Sequence, residues 1–207
     1  MPFADADAAD RRLIQIVDAA LAEGGRRSGA WLACRVGCTE CCLGPFPINM
    51  LDARRLARGL AGLAARDAER AARIRERARQ AVAELAADFP GDPATGILRE
   101  DEKAEERFCE RHAALPCPAL DPDSGGCELY AARPLSCRSY GPPVRLGAEA
   151  LPPCRLCYQG ASQAEVEDCR VEIDPEGVEF AALEELEAAG APRGQTLIAF
   201  ALAGRDT

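Results

Sequence analysis

From Cys109 to Cys157 the chain offers little to a hydrophobic core. Pro, Gly and Cys crowd this segment, and neither a helical nor a strand period runs through it. A stretch of about 50 residues without regular structure does not stay folded in a compact domain by apolar burial alone. The cysteines are the obvious candidates to hold it. A second dense group precedes it: CRVGCTECC, Cys34 to Cys42, places four thiols in nine residues, spaced C-x3-C-x2-C-C.

Thiols at this density are oxidised, used as nucleophiles or given to a metal. The total is 11, an odd number, so complete internal disulfide pairing is impossible. The opening, MPFADADAADRR, is acidic and lacks the basic start and apolar run of a secretory signal. No run approaches the roughly 18 apolar residues of a membrane span. A cytoplasmic protein with reduced thiols is therefore expected, and metal binding becomes the leading use for them. A formal charge of -9 argues against a nucleic-acid or anionic-membrane partner.

Around the cysteines the chain reads as helical. Leu13, Ile14, Val17, Ala20 and Leu21 predict a helix over 10–23, ended by Gly24 and Gly25. Asn49 can cap a helix starting near Leu51, with Leu56, Leu60 and Leu63 on one face. The pattern resumes at Ile74, Ala78, Val82, Leu85 and Phe89 until Pro90-Gly91. A break is expected at Gly62 or near Arg66-Asp67. The nine arginines between Arg54 and Arg79 read as a solvated face interleaved with Asp67, Glu69 and Glu76. Residues 91–107 read as a loop leading into a short helix. A hairpin is expected over 171–180, with helices over 181–189 and 196–202. The expected fold is mainly α: helices around an irregular cysteine-rich metal-binding centre, with at most one small β-hairpin. The expected organisation is one domain over 1–207, a metal-binding region at 31–157 and a hairpin-and-helix appendage at 158–207.

The remaining thiols fall into three sets. Cys117, Cys127 and Cys137 are separated by nine residues each, Cys154 and Cys157 form a C-x2-C pair, and Cys109 and Cys169 stand apart. A two-residue gap lets two thiolates converge on one metal from a tight turn. The neighbours Cys41 and Cys42 are expected to diverge, and so to serve different metals or different edges of one multinuclear cluster. Thiolate-rich sites select zinc or iron–sulfur chemistry over magnesium, calcium or manganese. With His112 the only histidine, histidine-rich metal sites are disfavoured. Arg35, Arg133, Arg138 and Arg155 lie close enough in sequence to donate hydrogen bonds to sulfur.

CELYAARPLSCRSY at 127–140, with LPCPAL at 115–120 and the opening CRVGCTECC, resembles the CxxCxxCC or YkgJ-type cysteine-cluster family, described as zinc- or iron-chelating. The matching positions are Cys34, Cys38, Cys41, Cys42, Cys117, Cys127, Tyr130, Arg133-Pro134, Cys137 and Arg138. The resemblance covers roughly 31–157, and the three-residue gap after Cys34 departs from the family name. It implies metal chelation without implying a reaction. Cys154 and Cys157 join the matching cysteines as expected ligands, with Arg133, Arg138 and Tyr130 beside the site and Tyr130 as its shield from water. The expected cofactor is an iron–sulfur cluster, [4Fe–4S] among the options, or Zn2+. No P-loop, G-x-G-x-x-G, G-x-S-x-G or H-E-x-x-H motif is present, so an enzyme is the less favoured reading. A protein partner, braced by metal, is the other alternative.

Overall fold

A computed structural model of the chain describes residues 4–35 and 37–204. Among them are eight α-helices and seven short strands. In chain order they begin with α1 (Ala4–Ser28), β1 (Pro47–Asn49), α2 (Met50–Ala64) and α3 (Ala68–Leu85). Next come β2 (Gly91–Asp92), β3 (Ile97–Leu98), α4 (Glu102–Arg111), α5 (Leu135–Ser139), β4 (Val144–Leu146) and β5 (Glu149–Leu151). The chain ends with α6 (Gln163–Asp168), β6 (Val171–Ile173), α7 (Val178–Ala188), β7 (Gln195–Leu197) and α8 (Ile198–Ala203). The mainly α reading holds. The elements divide between two compact units, Met1–Val36 with Leu135–Ala191 and Gly37–Pro134 with Pro192–Thr207. Residues 158–191 thus belong to the first unit, and the described residues from 192 onward to the second.

In the first unit α1 packs on α7 and β6. Ala6, Asp10, Leu13, Val17, Gly24 and Ser28 are its buried positions, the three-and-four spacing of one helix face. Gly24 and Gly25 do not end α1, which runs on to Ser28. The reason lies outside the helix. A Cβ at Gly24 would stand 2.1 Å from Val171 Cγ2, so the glycine is there to let α1 and β6 approach. Strand β6 adds in parallel to β4, which also pairs antiparallel with β5. The hairpin expected over 171–180 does not form. Asp174, at φ 53, turns its carboxylate onto the amides of Val178 and Glu179 at 2.8 and 2.9 Å. This satisfies the exposed N–H groups at the start of α7, so the chain enters a helix instead of returning as a strand.

In the second unit α2, α3 and α8 pack together. Leu51, Leu56, Leu60, Leu63, Ile74, Leu85 and Leu202 are buried there. Asn49 caps α2 through the Asp52 amide at 3.0 Å, and Asp67 caps α3 through the Arg70 amide at 2.9 Å. The expected break is therefore at Arg66-Asp67. Strands β1 and β7 pair antiparallel, and β2 and β3 form a two-residue hairpin ladder. With β4–β5 in the first unit, the described residues hold two small hairpins, neither where the alternation suggested one. Phe89 meets Phe108 edge-on, with ring centroids 6.0 Å apart, and Phe200 at 4.7 Å.

Candidate metal centre

The second unit's cysteine loops have little regular structure and few large apolar side chains, yet they are pinned to each other. The Cys117 amide donates to the Cys42 carbonyl at 2.8 Å, and the Gly44 amide to Leu115 O at 2.7 Å. Isolated antiparallel bridges join Leu43 to Pro116 and Leu120 to Cys127. The turn at Gly125 lies against Gly37 and Thr39, on either side of the half-buried Cys38. These contacts bring four expected ligands together: Cys41, Cys42, Cys117 and Cys127.

The adjacent pair corrects the sequence expectation. Cys41 and Cys42 do not diverge; their thiols are hydrogen-bonded to each other. Both lie in a short 3-10 turn, Glu40–Cys42, where successive side chains rotate by roughly 120° instead of the 180° alternation of a strand. The bond favours the Cys41 thiolate and pulls its pKa to about 6, against the opposing effect of burial. The Arg133 guanidinium lowers it further. Cys42, as donor, is pushed up by the same bond, then by burial and the fields of Cys41, Cys117 and Cys127. Burial pushes Cys117 up to about 11, with Cys127 and Cys41 adding to the rise and the Ala119 and Leu120 amides opposing it. Burial also raises Cys127, against the Leu129 amide and Arg133. Each thiol thus feels others in the group, and Arg133 is a nearby cation that favours the charged forms of Cys41 and Cys127.

Three arginines of the α2–α3 stretch brace these loops, so that face is not simply solvated. Arg77 Nε donates to Pro118 O at 2.9 Å, and its guanidinium pairs with Glu128, next to Cys127. Arg70 Nε reaches the same buried carboxylate at 2.6 Å. Arg55, buried and paired with Asp52, donates to Arg133 O at 3.2 Å. Arg133 in turn lies 3.7 Å over the Tyr130 ring. Tyr130 is 63% exposed and does not fold inward as the expected shield. A 3-10 turn, Tyr130–Ala132, carries it outward while its carbonyl accepts from Arg133 Nε at 3.1 Å.

The other expected ligands belong to the first unit. Cys137 rides half-buried on α5, one residue before buried Arg138, whose guanidinium donates to Asp18 at 2.7 Å. Cys34 is exposed, and its Sγ lies 4.0 Å from that of buried Cys157. Cys154 and Cys157 pack with Tyr158 and with Cys169, a thiol the sequence left standing apart. Sequence spacing held no signal for Cys169, because it arrives from the end of α6, 12 positions beyond Cys157. Arg35 and Arg155 are exposed. Cys109 donates to Pro45 O at 3.3 Å and packs against the aromatic core, a structural role. His112 closes α4 and bonds Asp88 at 3.0 Å.

No disulfide links the eleven cysteines. Among the described residues, no three His, Cys, Asp or Glu side chains stand close enough to hold a metal ion as they are. The donor chemistry nevertheless suits a soft cation: four mutually interacting sulfurs, partly withdrawn from water, beside one guanidinium. No described helix is long and apolar enough to cross a membrane. No curated protein and no solved structure matches the chain. The profile of the CxxCxxCC family, described as "Putative zinc- or iron-chelating domain", matches residues 33–157, more than half of the sequence and the segment that holds the gathered thiols, and the chain belongs to that family.

Proposed function

We propose that this is a metal-thiolate protein in which Cys41, Cys42, Cys117 and Cys127 hold zinc or an iron–sulfur cluster, with Cys38 on the same loop as a further donor. The observation that carries this reading is that backbone contacts pin the loops of Cys41-Cys42, Cys117 and Cys127 together, the Cys117 amide bonding Cys42 O at 2.8 Å and bridges joining Leu43 to Pro116 and Leu120 to Cys127, so that each thiol feels others of the group. Four thiols that share one half-dry electrostatic neighbourhood are costly to ionise alone and are stabilised once a cation neutralises them. Zinc would close a four-sulfur structural site there, while a [4Fe–4S] cluster would add one-electron transfer.

The chain's own residues account for the rest. The Cys42 thiol and Arg133 favour the Cys41 thiolate, leaving one ligand deprotonated at neutral pH before metal arrives. Arg70, Arg77 and Glu128 tie the Cys117 and Cys127 loops to α3, and Arg55 anchors Arg133. Loading would draw the sulfurs closer, so the metal's main effect is to order these loops. Eleven cysteines with no disulfide among them suit a reducing compartment such as the cytoplasm.

The test is to purify the chain without oxygen and measure iron, zinc and acid-labile sulfide per chain. A brown protein with matched iron and sulfide supports a cluster. A colourless one with near-integral zinc supports a closed structural site. Absence of stoichiometric metal of both kinds sinks the reading.

A further inference from the structure

The thiols of the first unit show the features of a built site. Cys154-Arg155-Leu156-Cys157 forms a turn in which the Cys157 amide bonds Cys154 O at 2.8 Å and the Leu156 amide points at Cys154 Sγ at 3.5 Å. A backbone N–H aimed at the first sulfur of a C-x2-C turn is the contact that stabilises a thiolate, as second-shell donors do at metal sites. The turn leaves its next residue, Tyr158, at φ 56, a region costly for a bulky side chain.

That strained conformation is held from three sides. The Tyr158 amide bonds Trp31 O at 2.8 Å, its ring stacks on Trp31 with centroids 6.4 Å apart, and its hydroxyl meets Ser28. The same hydroxyl is hydrogen-bonded to the Cys169 thiol, which packs in the cluster with Cys154 and Cys157. Cys34 completes the set. Its Sγ lies 4.0 Å from Cys157 Sγ. Two thiolates on a tetrahedral zinc with bonds of about 2.3 Å stand roughly 3.8 Å apart, whereas a disulfide holds its sulfurs at about 2.05 Å. Gly141 leaves room for this approach, since a Cβ there would stand 3.0 Å from Cys34 Sγ.

We propose that Cys34, Cys154, Cys157 and Cys169 form a second thiolate site for a thiophilic cation such as zinc, its ligands drawn entirely from the first unit. This deepens the metal-thiolate reading of the chain, but it does not depend on the Cys41 group. It assigns a ligand, Cys169, that lies beyond the residues matching the family.

The test uses the full chain, freed of metal without oxygen and reloaded with zinc alone. The wild type is expected to hold about two zinc ions per chain, and Cys154→Ser and Cys169→Ser about one each. Cys117→Ser is also expected to fall to about one, by loss of the other site, and Cys109→Ser to stay at the wild-type level. Full zinc content in Cys154→Ser and Cys169→Ser, with none left in Cys117→Ser, overturns the second site and leaves the first. No effect of Cys117→Ser, with zinc lost in the other two, does the reverse. Alkylation of the wild type guards against variants that fail to fold. Burial by itself protects Cys154, Cys157 and Cys169, but Cys34 is exposed, so zinc-dependent protection of Cys34 reports ligation. Cys34 that alkylates equally fast with and without zinc, or a Cys34–Cys157 disulfide in the anaerobic protein, overturns the site.

Discussion

At the scale of single residues, the Cys41–Cys42 pair shows how a local turn decides chemistry. Two neighbouring thiols in extended chain would face opposite ways and titrate almost independently. In the 3-10 turn one donates to the other, and the pair splits: Cys41 is drawn down to about 6 while Cys42 is pushed up. A lowered thiol pKa means more thiolate at neutral pH. In metal-free protein, Cys41 should therefore become reactive toward iodoacetamide around pH 6, whereas Cys117, raised to about 11 by burial, stays protonated through neutrality. Cys42→Ala removes the largest cause of the Cys41 shift, and burial then acts against the thiolate. Its reactivity midpoint should rise to or above the ordinary thiol range. Residue-resolved alkylation against pH checks this, and an unmoved midpoint means that Arg133 and the backbone set the Cys41 value. That these cysteines belong to one family motif was legible in sequence, because cysteine spacing is a covalent property. Their mutual orientation was not, because a doublet reads the same in a strand and in a 3-10 turn.

At the scale of elements, glycine carried the misread signal. Gly24-Gly25 looks like a helix stop, and only the partner strand shows that Gly24 serves contact with Val171. The two glycines now make opposite predictions. Gly24→Ala forces its Cβ onto Val171 and should destabilise the first unit by about 1–3 kcal/mol, with Val171→Ala in the same chain restoring part of the loss. Gly25→Ala meets nothing closer than Leu32 Cδ1 at 3.9 Å, so the gain in helix propensity should leave it neutral or up to ~1 kcal/mol more stable. Urea denaturation of the four proteins checks both; equal losses at 24 and 25 would mean that the helix, and not the strand contact, sets the cost. In the second unit, Asp52→Asn removes the carboxylate paired with buried Arg55 and should cost about 3–5 kcal/mol, read in the same denaturation series. The leucine stripe and the Asn49 cap of α2 were legible because cap and stripe are local, whereas Asp67 marked only a break between helices and its capping of α3 came from the structure. The start of α7 at Asp174-Pro-Glu-Gly177 was a helix signal hidden in a turn-like string. The bracing by Arg70 and Arg77 was invisible, because their partner Glu128 is distant in sequence.

At the scale of the whole molecule, the helices and the cysteine loops rest on different supports. Helices α2, α3 and α8 bury a leucine-rich core of their own. The loops carrying Cys41, Cys42, Cys117 and Cys127 have backbone bridges, the arginine braces and, on the reading proposed here, a metal. Stability that comes from ligation is lost with the ligand, while stability that comes from apolar burial is not. Stripping the metal with a chelator under anaerobic conditions should therefore speed hydrogen exchange at the amides of Cys42, Gly44, Cys117, Leu120 and Glu128. Each of these donates a loop hydrogen bond in the structure. Protection within α2 and α3 should persist, and the far-ultraviolet circular dichroism should hardly change, because α2 and α3 do not draw their hydrogen bonds from the loops. Loss of helical signal together with the loops would mean that the metal nucleates the entire fold and that the leucine core is insufficient. Unchanged exchange at all five amides would mean that the backbone bridges and arginines suffice, leaving the gathered thiols a role other than structural support.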